Sequence, residues 1–289
     1  MMALKLAYVG VEASRLDKWQ EFGELVGLQA VPAADALFLR MDEKARRFIV
    51  TEGAKDDFAF AGFEAENAGE FEETLARFAR FGIAYSEGDS SGAALRSVDR
   101  YVTFHDPEGL QHEVALGCKD ADTPFDPKIS TNGFVTGEEG LGHVAINCKD
   151  YQACEDYMTK AIGAGLSDHI FSDFGQSQVK ATFLHVNPRH HSIAYAQFPF
   201  ETSRNIDHIM IEAAELTDVL KAQARVIEAD IPITISLGEH PNDHAVSFYC
   251  STPSGFRLEL ASRCIKVTPG AWESGHYDYF SMWGHRVLA

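Results

Sequence analysis

The chain has 289 residues, 45% of them hydrophobic, so a sizeable core is available and the length suits one large domain or two modest ones. A formal net charge of -18 and the lack of any basic arm exclude nucleic acid and anionic membrane surfaces as partners. The five cysteines, an odd number without CxxC spacing, argue against a disulfide framework or a structural zinc site. With no signal-peptide pattern and no apolar run of spanning length, they predict a cytoplasmic protein with reduced thiols.

The chain opens on an apolar strand, LKLAYVGVEA, followed by a helical pattern in which Leu16, Trp19, Leu25 and Val26 share a face. Two strand-like runs, LFLRMDE and RFIVTEG, come next. A second strand–helix pair follows, FAFAGFEA and EFEETLARFARFG. The segment RYVTFHDPEGLQHEVAL then reads as strand, Pro-x-Gly turn and strand, a hairpin. The stretch KDADTPFDPKISTNGFVTGEEG, rich in Pro, Gly, Asp and Thr, is the natural linker.

Beyond the linker the same order repeats. LGHVAINCKD opens the second half, with Cys154, Tyr157, Met158 and Ile162 at helical spacing behind it. VKATFLHV and SIAYAQF are the next strands. IDHIMIEA precedes the helix ELTDVLKAQARVIEAD, whose Leu216, Val219, Leu220, Val226 and Ile227 form an apolar stripe read as core packing. VSFYCSTPSGFRLELAS closes the half as a second hairpin. Pro107, Gly109 and Glu113 match Pro253, Gly255 and Glu259 at one constant offset.

The predicted fold is α+β, two tandem βαβββ modules. An N-terminal module covers 1–120, a linker 121–138 and a C-terminal module 139–289. A tail from about residue 265, containing WESGHYDYFSMWGH, has no counterpart in the first half; its aromatics read as a cap on one module rather than the wall of a pocket.

Ten of the twelve histidines lie in the second half. His143 sits in its opening strand, where the first half has Tyr8. His208 sits in IDHIMIE, where the first half has Phe60. Glu259 sits in the last strand, and there the first half keeps Glu113, read as a relic of strand geometry. Two imidazoles and one carboxylate on three strands form the facial triad of non-haem Fe(II) oxygen chemistry, which leaves adjacent coordination positions open. An isolated histidine is more often a hydrogen-bonded core or surface residue. Three such residues at repeat-equivalent places point instead to one competent and one degenerate copy of a site.

In GEHPNDHAVSFYCSTPSGFRLE, the residues Gly238, His240, Phe248, Tyr249, Thr252, Pro253, Gly255 and Glu259 stand in the spacing of the type I extradiol dioxygenase signature. GLGHVAI, NPRHHSIAYAQFP, NIDHIMIE and SMWGH follow the same order as in that family. The chain thus resembles the vicinal-oxygen-chelate ring-cleaving dioxygenases, closest to the 2,3-dihydroxybiphenyl 1,2-dioxygenase branch. Leu260 departs from the aromatic residue expected in that branch.

The resemblance implies a glyoxalase/bleomycin-resistance/extradiol dioxygenase fold. It implies that His143, His208 and Glu259 hold Fe(II), with Mn(II) an alternative. It implies that His191 is the acid–base group, with His190 the competing choice, and that His240 and Tyr249 donate to substrate oxygens. Asn242 and Asp243 would support them, though both suit a plain turn, and Tyr249, alternating with Phe248, also suits the core. His169, His244 and His276 read as surface or packing residues. The implied substrates are a catechol and O2, the implied assembly a homo-oligomer. Two readings compete: a glyoxalase-type lyase or epimerase, and a metal-free ligand-sequestering protein of the same fold.

Overall fold

The computed structural model describes residues 4–268 and 270–288. The outermost residues of the two predicted modules, 1–3 and 289, lie outside the described residues. The first sheet is built from β1 (Leu4–Ala13), β2 (Gln29–Pro32), β3 (Ala36–Arg40), β4 (Phe48–Glu52), β5 (Asp57–Ala65), β6 (Tyr85–Glu87), β7 (Arg100–His105) and β8 (Gln111–Leu116). With it go helices α1 (Leu16–Leu25), α2 (Ala68–Phe81) and α3 (Ser90–Arg96). The second sheet comprises β9 (Gly142–Cys148), β10 (Gly165–Phe174), β11 (Ser177–His185), β12 (Ile193–Gln197), β13 (Ile206–Glu212), β14 (Ile233–Glu239), β15 (Val246–Ser251), β16 (Arg257–Ser262) and β17 (Gly275–Tyr277), with helices α4 (Tyr151–Ile162) and α5 (Leu216–Glu228).

The strand orders superimpose. The first sheet runs β2-β3-β4-β1-β5-β8-β7-β6 and the second β10-β11-β12-β9-β13-β16-β15-β14, with β17 added beyond β10. Each module's opening strand pairs antiparallel with its central partner, β1 with β5 and β9 with β13. That partner pairs parallel with the closing strand, β8 or β16. The repeat seen in sequence is therefore a repeat of topology and register. His208 pairs with Arg257 as Phe60 pairs with Gln111.

Local chemistry sets the helix ends. Asn67 accepts from the Glu70 amide at 3.1 Å to start α2, and Gly82 at φ 67° ends it. Asp150 accepts from both Gln152 and Ala153 to start α4, which ends at Gly163, φ 70°. The apolar stripe of α5 is narrower than its sequence suggests. Val219, Ala222 and Val226 are buried, but Leu220 and Ile227 are 43% and 57% exposed. Each lies one residue, about 100°, beyond a buried position, and that rotation carries it off the packed face.

The helices of the two modules face one another, α2 against α4 and α1 against α5. One apolar core runs through both modules, from Leu6, Trp19 and Phe63 to Val144, Met158 and Phe248. Trp19 packs on Phe256 and donates its indole N–H to Ser254 at 2.8 Å. The Tyr195 hydroxyl donates to Asp106, which also meets His112 at 3.0 Å. Each sheet thus turns one face to the shared helices and the other away from them. Among the described residues no helix is long and apolar enough to cross a membrane.

Candidate active site

The outer face of the second sheet gathers polar side chains from neighbouring strands. His143 on β9, His208 on β13 and Glu259 on β16 converge: His143 Nε2 is 3.0 Å from His208 Nε2, and Glu259 Oε2 lies 3.4 and 3.2 Å from those two nitrogens. The His208 Nδ1–H donates to Asp207 at 2.7 Å, which leaves a lone pair on Nε2 directed at the cluster. Asp207 reaches this position because the β13–β9 register slips between Ile206 and His208, a bulge that turns two successive side chains toward one site. Arg257 pairs with the other oxygen of Asp207. His208 and Arg257 hold the Asp207 carboxyl at about 2 against the opposing cost of burial.

Three ligand atoms gathered at one point could hold a cation. An ion about 2.1 Å from three ligand atoms at right angles separates them by about 3.0 Å. The observed spacings of 3.0 to 3.4 Å fit such an ion. Burial pushes the His143 imidazole down to about 4 against the pull of Glu259, so it offers a neutral nitrogen. Burial would lower His208 as well, but Asp207 and Glu259 raise it above its ordinary value. Burial opposes ionisation of Glu259, yet the surrounding imidazoles hold its carboxyl well below the usual range. Glu259 Oε1 has no hydrogen bond and lies 3.4 Å from His240 Nε2.

Around this group the other singled-out residues divide. Tyr249, opposite Glu259 on β15, faces the site with its hydroxyl 2.8 Å from His240 Nε2; Phe248 points the other way, into the core. Burial and Glu259 keep the Tyr249 phenol protonated. His240 Nδ1 donates to the Phe280 carbonyl at 2.6 Å, and the ring lies 4.1 Å from that of His285. Burial works against the charged form of His240, but Glu259 prevails and raises it to about 9. His191 is buried with its ring 4.0 Å from His143. Burial, then His143 and His190, press its imidazole well below its ordinary value. His190 is turned the other way, Nε2 to Asp168 at 2.7 Å and Nδ1 to His191 Nδ1 at 3.0 Å.

Asp243 closes a turn by accepting from the Ala245 amide at 3.0 Å, and its second oxygen lies 3.9 Å from His191 Nδ1. Asn242 is buried and its amide nitrogen has no partner. His169 pairs with Glu155 at 2.7 Å, His244 with Glu239 at 3.2 Å, and His276 is exposed. These three stand away from the converging group.

The matching face of the first sheet is filled. Glu113 accepts from Tyr8 at 2.9 Å and Gln111 at 2.8 Å, and both its oxygens take N–H groups of Arg96. The Arg96 guanidinium lies between the Phe60 and Tyr101 rings, 4.4 and 4.3 Å from their centroids. Gly62 makes the room: a Cβ there would fall 2.1 Å from the Tyr8 ring. Glu113 is therefore no relic of strand geometry. It keeps a buried cation, a guanidinium on α3.

Sequence reasoning missed Asp207, Asp168 and His285, and it assigned the tail to capping. The tail also joins the site: β17 extends the sheet, Phe280 lends its carbonyl to His240, and His285 stacks on the same ring. The SMWGH segment at the chain end was the available signal.

A family model described as "Glyoxalase/Bleomycin resistance protein/Dioxygenase superfamily" matches residues 140–260, and one described as "Dihydroxybiphenyl dioxygenase BphC D1" matches residues 6–53. The biphenyl-2,3-diol 1,2-dioxygenase of Paraburkholderia xenovorans (strain LB400) is 39% identical, spanning 100% of this chain and 97% of its own. The iron-dependent extradiol dioxygenase of Rhodococcus jostii (strain RHA1) is 32% identical over 99% of this chain and 97% of its own. The crystal structure of BphC, a halotolerant catechol dioxygenase, aligns with a TM-score of 0.91 at 33% identity, covering 100% of this chain and 95% of that one. With relatives this similar from end to end and a face that fits a metal ion, the chain belongs to the extradiol dioxygenases of the glyoxalase, bleomycin-resistance and dioxygenase superfamily.

Proposed function

We propose that this protein opens the ring of a catechol beside its two hydroxyls with O2, at a metal ion held by His143, His208 and Glu259 of the second module (139–289), while the first module (1–120) carries no metal. The observation that carries the reading is the pair of matching sheet faces. One presents three ligand atoms 3.0 to 3.4 Å apart, and the other is closed by Arg96 on Glu113. Fe(II) is the metal we favour over Mn(II), supported by the iron-dependent relative. When bound, iron keeps diol and O2 adjacent and lets electrons pass between them, which removes the spin barrier to their direct reaction.

The protein's own side chains supply the rest. His191, neutral and against His143, takes a proton from a catechol hydroxyl. His240 and Tyr249, linked at 2.8 Å, donate to oxygens as the ring opens. The partnerless Asn242 amide is a further donor, and Asp243 offers negative charge near His191. His190 acts from behind His191. Both oxygen atoms enter the product, a muconic-semialdehyde-type acid.

A bicyclic or substituted catechol, 2,3-dihydroxybiphenyl first among them, is the proposed substrate, on the strength of the relative from Paraburkholderia xenovorans. The net charge of -18 supports a small-molecule partner rather than nucleic acid or membrane, and the five free cysteines support a cytoplasmic setting. The exposed Met282, Trp283, Val287 and Leu288 of the tail suit a homo-oligomer.

The test is metal analysis with oxygen uptake over catechol, 3-methylcatechol, 2,3-dihydroxybiphenyl and 1,2-dihydroxynaphthalene, using anaerobically Fe(II)-loaded protein. We expect one ion per chain and the highest kcat/KM on 2,3-dihydroxybiphenyl. Absence of both bound metal and oxygen consumption on every catechol would sink the proposal.

A further inference from the structure

Behind His191 runs a buried chain that ends on a carboxylate. Asp168 is 1% exposed and stands on β10 just past a register slip between Leu166 and Asp168. One of its oxygens accepts the Gly275 amide from β17, and the other lies 2.7 Å from His190 Nε2. His190 Nδ1 is 3.0 Å from His191 Nδ1, with the two rings at 88°. The Ser167 hydroxyl donates to the His190 carbonyl and Trp272 packs edge-on against the His190 ring, so the imidazole is held on several sides.

Hydrogen-bond polarity fixes what this chain does. A carboxylate only accepts, so His190 Nε2 carries the proton. With a single ring proton, the one on Nε2, His190 presents a lone pair at Nδ1. His191 must therefore carry its proton on Nδ1, and its Nε2 is left with the lone pair. Asp243, 3.9 Å from His191 Nδ1, is too far to compete for that proton. With 3.0 Å between the two Nδ1 atoms, His190 and His191 are engaged in the hydrogen-bonded chain from Asp168 rather than in a second metal site with Asp243.

We infer that Asp168 and His190 are positioning residues that lock His191 into the Nδ1–H tautomer, so that its Nε2 lone pair is the one offered to the substrate hydroxyl. This rests on the reading of His191 as the acid–base group. In the forward step the catechol O–H bond breaks and its proton forms a bond to His191 Nε2. His191 keeps its Nδ1–H, now a charge-assisted donor to His190, with Asp168 as the buried counter-charge. The logic matches a carboxylate that orients a catalytic histidine from behind.

Asp168→Asn is the sharpest test. Gly275 N–H still requires the amide oxygen, so the amide nitrogen turns to His190. Every bond in the chain reverses, and His191 ends as Nε2–H with no lone pair for substrate. We expect kcat to fall about 100-fold or more with KM and metal content near those of the parent. In 15N-histidine-labelled protein loaded with diamagnetic Zn(II), the His191 nitrogen shifts should exchange from the Nδ1–H to the Nε2–H pattern. His190→Gln, able to donate to Asp168 and accept from His191, should keep kcat within about tenfold, whereas His190→Leu should fall about 100-fold.

An unchanged His191 tautomer in Asp168→Asn overturns the inference, whatever happens to the rate. So does equal loss in the Gln and Leu variants. His191→Ala separates the two levels. If it is slow while Asp168→Asn runs at full rate with its tautomer intact, only the positioning role falls. If His191→Ala is itself fully active, the acid–base reading falls and takes this one with it.

Discussion

A carboxylate buried on a sheet face needs positive charge beside it, and in our proposal Glu113 and Glu259 meet that need with different cations. For Glu113 the cation is covalent, the guanidinium of Arg96. Arg96→Met would leave Glu113 buried with only Tyr8 and Gln111, and should cost about 3–5 kcal/mol in urea unfolding. The metal content and kcat of the folded fraction should stay at parental values, because the site is on the other sheet. For Glu259 the proposed cation is a metal ion taken from solution. His143→Ala should lose metal and oxygen uptake together, whereas His191→Ala should keep its metal and turn over more slowly.

Acidity adds a second residue-level expectation, for the metal-free protein. His143, lowered to about 4, binds fewer protons folded than unfolded between that value and about 6.5. Its contribution is therefore present above 6.5 and lost as pH falls toward 4. His240, raised to about 9, does the opposite: its contribution is present below 6.5 and lost as pH climbs through 9. The urea midpoint of chelator-treated protein should peak near pH 6.5. Loading metal should flatten the alkaline limb, since the ion then shares the Glu259 charge that raised His240. An alkaline limb that persists in His240→Asn would count against this account.

At the scale of elements, the tail is more than an added edge. Gly275 holds Asp168, Phe280 holds His240, and His285 stacks on the same ring. Truncation before Trp272 should lower kcat at least about tenfold while the three ligand residues keep their metal. Much of the rest was legible in the sequence. The repeated Pro-x-Gly hairpins fixed the correspondence of Glu113 with Glu259. The strand period put Phe248 and Tyr249 on opposite faces without deciding which of them is in the core, and the signature around them carried the family. Bulges were not legible. A two-residue period sends Asp207 and His208 to opposite faces, and only the slip at Ile206 brings them together. Asp168 was hidden by the same kind of slip, and Phe280 acts through a backbone carbonyl, which leaves no trace in residue identity. The seven residues of α3 are too few to show a helical period, so Arg96 passed unnoticed.

For the molecule as a whole, the continuous core between the modules makes them one cooperative unit. Trp19 is its hinge point, fully buried against the other module at Phe256 and Ser254. Trp19→Ala should cost about 3–5 kcal/mol, and calorimetry should still show a single transition rather than two. Residues 1–120 expressed alone should not give a cooperative melt, since the faces of α1 and α2 would lose their cover. Two separate transitions in the parent would refute that coupling.

The Arg96–Glu113 pair also bears on the order in which this protein matures. Half of the scaffold carries its positive charge from synthesis and needs nothing from the environment to close. The two halves then close together around the shared core. We expect chelator-treated protein to fold, unlike small domains that stay unfolded until their ion arrives. Chains made while the metal is scarce would then persist as a folded reserve, ready to be loaded when it returns.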